Sequence, residues 1–299
     1  MEKEIVSKQV KYISGLKVSF KKLFAILKIM RPSNVFITGL TIFVSVLIFG
    51  RNDPNILKLA FIAGIVGSLI DAGGNIINDF FDVEIDKINK PNRPIPSGLI
   101  KRETALSLYF LTTISGLGLG LLLNKLSLSI ALLSAVIIFL YSFKLKRIPL
   151  FGNFTVALMT GFAFIFAGSV VDNFKDVIFP FLFALLINFS REIVKDIEDI
   201  EGDLKAGIKT FPILAGVGAS VKVSIAVLVI LIFLTLIPYF VGIYNQIFLL
   251  LISVVDIGLI YVIISLLKDT RKSNLNKLSN LLKFEMLIGL FAIYFGSLK

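Results

Sequence analysis

The sequence predicts an all-α membrane protein whose nine transmembrane helices form one bundle. Three observations lead there. First, 56% of the 299 residues are apolar and only 17% are charged, against about 45–50% and about 25% in soluble domains; the mean hydropathy is +0.91. Second, the apolar residues come in runs of roughly 17–24, enough to cross ~30 Å of hydrocarbon as a helix. Third, 26 of the 31 Lys and Arg fall on one side of those runs, the bias that marks cytoplasmic loops. Membrane-spanning strands would be about ten residues long with strict alternation. Lipid also offers no partner for open backbone, so the runs read as helices.

The elements follow in order. Residues 1–32 carry eight basic residues, with Val6, Val10, Ile13, Phe20, Phe24 and Leu27 at roughly helical spacing between them. That pattern predicts an amphipathic basic segment lying on anionic headgroups. No uninterrupted apolar run with a small-residue cleavage site marks it as a signal peptide. The first span, 33–50, closes at Asn52-Asp53-Pro54, and the second, 57–80, closes at a Pro-rich loop from Pro91 to Gly98. Spans 104–123 and 127–143 come next, the latter ending at Lys144, Lys146, Arg147 and Pro149. Spans 153–171 and 177–195 lead to a break from Pro212 to Gly218, followed by 220–240, 246–267 and 280–298. In this assignment Arg191, Lys195, Lys205, Lys209 and Lys222 belong to the loop after the sixth span, and Lys268 to Lys283 to the loop after the eighth. The N-terminus then lies in the cytoplasm and the C-terminus outside the cell membrane.

What the chain lacks bounds its chemistry. It has no Cys, no His and no Trp. Disulfides, thiol nucleophiles, imidazole bases and the usual zinc and haem sites are therefore excluded. Any bound metal must take oxygen ligands, which points to Mg²⁺, Ca²⁺ or Mn²⁺.

Ten of the twenty acidic residues fall in two short windows at cytoplasmic helix ends. The first runs from Asn75 through Asn78, Asp79, Asp82 and Glu84 to Asp86. The second runs from Glu192 through Asp196, Glu198, Asp199 and Glu201 to Asp203. On a helix, Asn78, Asp82 and Asp86 share one narrow face, and Asp196, Asp199 and Asp203 share another. Solvated helix ends also collect acids, but like charges four residues apart repel by a few tenths of a kcal/mol. A divalent cation removes that cost, and Mg²⁺ is commonly held by one or two carboxylates together with substrate phosphates. Each window is followed by a basic, proline-marked loop, Lys90 to Gly98 and Lys205 to Pro212, an order that hints at internal duplication. Arg93 and Lys209, with Arg31 and Lys146 at the same face, are placed to neutralise a diphosphate.

These residues carry a resemblance. Asn78-Asp79-x-x-Asp82-x-x-x-Asp86 followed by Asn92-Arg93-Pro94-x-Pro96-Ser97-Gly98 is similar to the first signature of the UbiA superfamily of intramembrane prenyltransferases. Asp199-x-x-x-Asp203 followed by Gly207-Ile-Lys209-Thr210 is similar to the second. The resemblance covers nearly the whole chain and implies nine helices around a central apolar cavity. It implies Mg²⁺ at Asp82, Asp86, Asp199 and Asp203, with Asn78, Asp79 and Asp196 completing the catalytic set. A prenyl diphosphate would bind with its head between the aspartate clusters, and some of the 28 Phe would line the channel for its tail. Asp79, Asp196 or the diphosphate itself is left to take the acceptor's proton. The stretch Arg191-Glu192-Ile-Val-Lys195-Asp196-Ile-Glu198-Asp199 resembles the archaeal branch, which implies geranylgeranyl diphosphate as donor and geranylgeranylglyceryl phosphate as lipid acceptor, without nucleic acid or an obligatory protein partner. An aromatic acceptor, of quinone or porphyrin type, keeps the same fold. A secondary transporter for organic anions is the alternative from another class, although such sites lie near the bilayer midplane. Two further acids, Asp71 and Asp256, fall inside spans, where carboxylates are usually functional or paired. Asp71 is expected to line the approach to the site; Asp256 has no assigned role.

Overall fold

In the computed structural model, which describes residues 21–51, 53–205 and 207–298, the chain is helical and no strand occurs among the described residues. A helix over 21–30, α1, precedes α2 (Pro32–Phe49), α3 (Ile56–Phe81) and the short α4 (Val83–Asn89). Then come α5 (Arg102–Gly120), α6 (Lys125–Phe143), a 3₁₀ turn at Leu145–Arg147, α7 (Phe151–Val170) and α8 (Ile178–Glu198). The short α9 (Ile200–Lys205) and α10 (Phe211–Ala215) lead to α11 (Val217–Phe240), α12 (Gln246–Lys268) and α13 (Lys272–Gly296).

Among the described residues nine helices have 18 residues or more, and seven of these are long and apolar enough to cross a membrane on length and composition. The other two are α5, which opens on Arg102-Glu103 and is rich in Ser, Thr and Gly, and α8, whose last eight residues include Arg191, Glu192, Lys195, Asp196 and Glu198. The boundaries match the apolar runs within a few residues, except that α13 begins at Lys272, eight residues before the expected span. The polar first turns of α13 continue its helix because Leu275, Leu278 and Leu282 are buried at three- and four-residue spacing. Lys283 therefore lies on the helix and not in a loop.

Polarity is turned outward-in relative to a soluble protein. Phe36, Phe61, Phe233 and Phe240 face outward, while Ser45, Thr112, Thr155 and Ser224 are buried. Thr112 donates to the Leu108 carbonyl (3.0 Å) and Thr155 to that of Phe151 (2.8 Å) along their own helices. Ser224 pairs with Ser190 of α8 (2.7 Å), and Ser45 Oγ has no partner among the described residues. Small residues let helices approach closely in lipid. A Cβ at Gly64 of α3 would sit 3.1 Å from the Gly39 carbonyl oxygen of α2.

The end of the bundle away from the acidic windows is tied by side-chain amides. Asn124 caps α6 by accepting from the Ser127 N–H (2.8 Å) and donates to the Ser169 carbonyl (2.6 Å). Asn173 donates to the Phe49 carbonyl (2.8 Å) and Asn245 to that of Leu298 (2.7 Å). Of the expected amphipathic segment, residues 1–20 lie outside the described residues. In α1, Ala25 and Ile29 are buried against Ile76, Val83, Ile95, Ile100 and Ala105, while Leu23, Phe24 and Leu27 stay exposed.

Candidate active site

Both acidic windows fold into a long helix, a one-residue joint and a short helix. The first joint is Asp82 (φ −90°, ψ 4°) between α3 and α4; the second is Asp199 (φ −93°, ψ 3°) between α8 and α9. The sequence around each joint agrees, Asp82-Val-Glu84-Ile-Asp86 against Asp199-Ile-Glu201-Gly-Asp203. The continuous carboxylate stripes expected on unbroken helices are thus corrected to stripes that bend at their middle aspartate. Four-residue hydrogen bonds persist across the bend, from the Asp82 N–H to the Asn78 carbonyl (3.0 Å) and from the Asp86 N–H to that of Asp82 (2.7 Å).

The two windows meet. Gly202 of α9 packs so closely on Asn89 at the end of α4 that a Cβ there would collide with the Asn89 amide. Lys90 reaches across to Asp199 at 3.8 Å. The loop after the first window folds back over it, so that Arg93 donates to Asp79 (3.0 Å) and Asp86 (2.5 Å). Arg31 also pairs with Asp79, and Lys146, from the turn after α6, pairs with Asp82 and donates to Asn78 (3.3 Å). Arg31 does so from a left-handed backbone conformation (φ 56°, ψ 70°) just before Pro32, which costs a non-glycine residue roughly 1–2 kcal/mol. Asp196, on the last turns of α8, accepts from the Asn153 amide (2.8 Å).

Three of the four cations expected at a diphosphate, Arg31, Arg93 and Lys146, are therefore drawn together with Asn78, Asp79, Asp82 and Asp86. Lys209 is not: it is exposed and makes no ion pair among the described residues. Lys144 and Arg147 point outward as well.

No three carboxylates converge on one point among the described residues; basic side chains engage Asp79, Asp82 and Asp86, with Arg93 bridging Asp79 and Asp86. The donor set nonetheless fits a hard divalent cation. Every acidic and amide donor here is oxygen, and negative charge is left over on the second window. Burial, with the Asp199 carboxylate beside it and Asp82 across from it, pushes Asp203 up to about 6. Asp86 is raised by burial against the opposing pull of Arg93.

A cavity of about 430 Å³ runs inward from this end, between α2, α3, α6, α7, α8, α11, α12 and α13. Its polar mouth is lined by Arg31, Asn75, Asn78, Arg191, Glu192 and Lys195. Its interior is mostly apolar and includes Phe162, Phe164, Phe166 and Phe183. Asp71 lines it as expected and accepts from Asn75 (3.3 Å). Asp256 is buried behind the far wall, where both its oxygens accept from Thr235 (3.1 and 3.2 Å). Sequence reasoning gave Arg191, Lys195 and Lys283 no role in the site, counting them as orientation charges and the first two also within the stretch that resembles the archaeal branch, yet all three line the cavity. The sequence signal for a site role is position, at a helix end beside an acidic window or within a span, and for Arg191 and Lys195 also that motif.

Comparison with known proteins fits this geometry. The UbiA prenyltransferase family profile matches residues 38–288. The chain is 38% identical over 282 residues to the digeranylgeranylglyceryl phosphate synthase of Methanocaldococcus jannaschii, covering 94% of this chain and 99% of that protein. It is 36% identical over 269 residues to the enzyme of the same name from Methanopyrus kandleri, covering 90% and 97%. A solved structure described as digeranylgeranylglyceryl phosphate synthase superposes with a TM-score of 0.75 at 38% identity, covering 92% of this chain and 98% of that one.

Proposed function

Because this chain belongs to the UbiA prenyltransferase family, we propose that it transfers the geranylgeranyl group of geranylgeranyl diphosphate to the hydroxyl of geranylgeranylglyceryl phosphate. The products are digeranylgeranylglyceryl phosphate and diphosphate. The observation that carries this reading is one cavity with an apolar interior and a mouth beside two facing acidic joints. Likeness to the two named synthases over nearly their full length supports the choice of acceptor.

In the reaction the donor's C1–O bond breaks and its electron pair leaves with the diphosphate. The acceptor oxygen then bonds to C1 and gives up its proton. Mg²⁺, held by Asp82, Asp86, Asp199 and Asp203, would supply charge stabilisation for the departing diphosphate. Arg31, Arg93 and Lys146 orient the anion, each able to turn from its aspartate to a phosphate oxygen. Asp79 is engaged by two guanidinium groups and is a poor proton acceptor. Asp196 has only the Asn153 amide as partner among the described residues, so its free carboxylate oxygen suits the proton better. The apolar interior holds the tail and keeps water from the allylic cation, and the Phe rings offer it their faces.

The distribution of Lys and Arg supports a cytoplasmic position for this end, with the C-terminus outside and residues 1–32 along the membrane surface. The reading is tested by giving purified protein geranylgeranyl diphosphate with geranylgeranylglyceryl phosphate or with an aromatic acid, and weighing the products. Digeranylgeranylglyceryl phosphate is expected; a prenylated aromatic acid with the glyceryl phosphate untouched would assign the other acceptor class.

A further inference from the structure

The charges at the cavity mouth separate into two groups of opposite balance. Around the joints, carboxylates at least match cations: Asp79, Asp82, Asp86 and Asp199 face Arg31, Arg93, Lys146 and Lys90. Asp196 and Asp203 stand beyond them without an ion pair among the described residues. On the cavity wall formed by α8 and α13 the balance reverses. Arg191 and Lys195 share a single carboxylate, that of Glu192 (2.9 Å and 3.0 Å). Lys283 donates to the neutral Asn34 amide oxygen (2.7 Å), with no carboxylate in ion-pair distance among the described residues. All four side chains and Asn34 line the cavity. These three cations thus share one paired carboxylate; the cavity's other two carboxylates are directed elsewhere, Asp71 accepting from Asn75 and Glu285 packing against Gly258 of α12.

An ammonium within a transmembrane bundle is costly unless paired. Lys283 sits eleven residues into α13, roughly 16 Å along the helix from its start. Arg191 is further held by its Nε donating to the Ser279 carbonyl (3.2 Å), which fixes the plane of its guanidinium fork. A fixed fork, two flexible ammonium groups and the amide N–H₂ of Asn34 make a pocket for a compact dianion with several acceptor oxygens.

We infer that Arg191, Lys195 and Lys283 bind the phosphate monoester of the acceptor, apart from the acidic end that takes the donor diphosphate. This rests on the acceptor reading given above and deepens it. The two phosphate groups repel, and separate sites of opposite balance keep them apart: the acid-rich one requires a metal, the base-rich one takes a bare dianion directly. The pocket also orients the acceptor, since its phosphate lies only a few bonds from the reacting hydroxyl.

The test is steady-state kinetics of Lys283→Gln and Lys195→Gln beside wild type, with geranylgeranylglyceryl phosphate and with the unphosphorylated geranylgeranylglycerol as acceptors. Each variant is expected to raise KM for the phosphorylated acceptor about tenfold or more, the scale of one charge-assisted hydrogen bond. KM for geranylgeranyl diphosphate should change less than twofold, which also reports an intact fold. The preference of wild type for the phosphorylated acceptor should shrink in both variants, and Lys283→Arg should restore much of it. Unchanged acceptor KM, or equal rises in both substrates' KM, would overturn the site while leaving the acceptor assignment standing. No product from wild type and geranylgeranylglyceryl phosphate would instead overturn the acceptor reading itself, and the site with it.

Discussion

Arg93 holds the first window together, since one guanidinium spans Asp79 and Asp86. Removing it leaves Asp86, 4% exposed, as a buried carboxylate with no cation of its own. Arg93→Ala is expected to lower kcat/KM for prenyl diphosphate on the order of 10²-fold, comparable to losing one preorganised electrostatic group. Arg93→Lys should recover only part, because an ammonium cannot reproduce the fork; full activity in both would show that Arg93 only orients the chain. That Arg93 belongs with the first window was legible because it follows within fifteen residues, in one acid-then-base block, but its ion pairs with Asp79 and Asp86 were not, since the sequence pointed Arg93 at a diphosphate. Arg191, Lys195 and Lys283 were not, because a cation at a helix end satisfies the positive-inside bias whether or not it also faces a cavity. Lys209 shows the converse: it follows its acidic window as Arg93 does, yet it is exposed.

At the scale of elements, the joints at Asp82 and Asp199 decide how the windows meet. Spacing by four survives a one-residue joint, so the aspartate pattern cannot distinguish a straight helix from a bent one. The bends accompany the contact of α4 with α9, where Gly202 meets Asn89. Gly202 permits their contact. Gly202→Val should displace the Asn89 amide from α9 and lower turnover while the protein still elutes as a folded species in detergent; unaltered turnover would mean that the Asn89–Gly202 contact is dispensable. At the opposite end Asn124 caps α6 and clasps α7 through the Ser169 carbonyl. Asn124→Ala should cost about 1 kcal/mol or somewhat more, read as a lower Tm in detergent, with KM for both substrates unchanged. A shifted KM would tie that end to the site.

For the whole molecule, the bundle was legible from apolar runs and the placement of Lys and Arg, because lipid admits few alternatives to helices. Which helices enclose the cavity was not legible, since that depends on packing between helices distant in sequence. α5, for example, packs on the outside of α3 and lines none of the cavity. The chain has no Cys, so a single introduced thiol is a unique topological marker. In right-side-out vesicles, Lys205→Cys should resist an impermeant maleimide until the membrane is opened, whereas a Cys replacing Asn173 should react at once; the reverse pattern would invert the orientation. The central claim is that the two facing acidic joints release diphosphate through a hard divalent cation. Single-turnover release of diphosphate from geranylgeranyl diphosphate, with acceptor present and Mg²⁺ titrated against EDTA, tests it most directly. Turnover should follow free Mg²⁺, vanish in EDTA and fall on the order of 10²-fold in Asp82→Asn and in Asp203→Asn alike. Full release in EDTA, or wild-type rates in either variant, would contradict it.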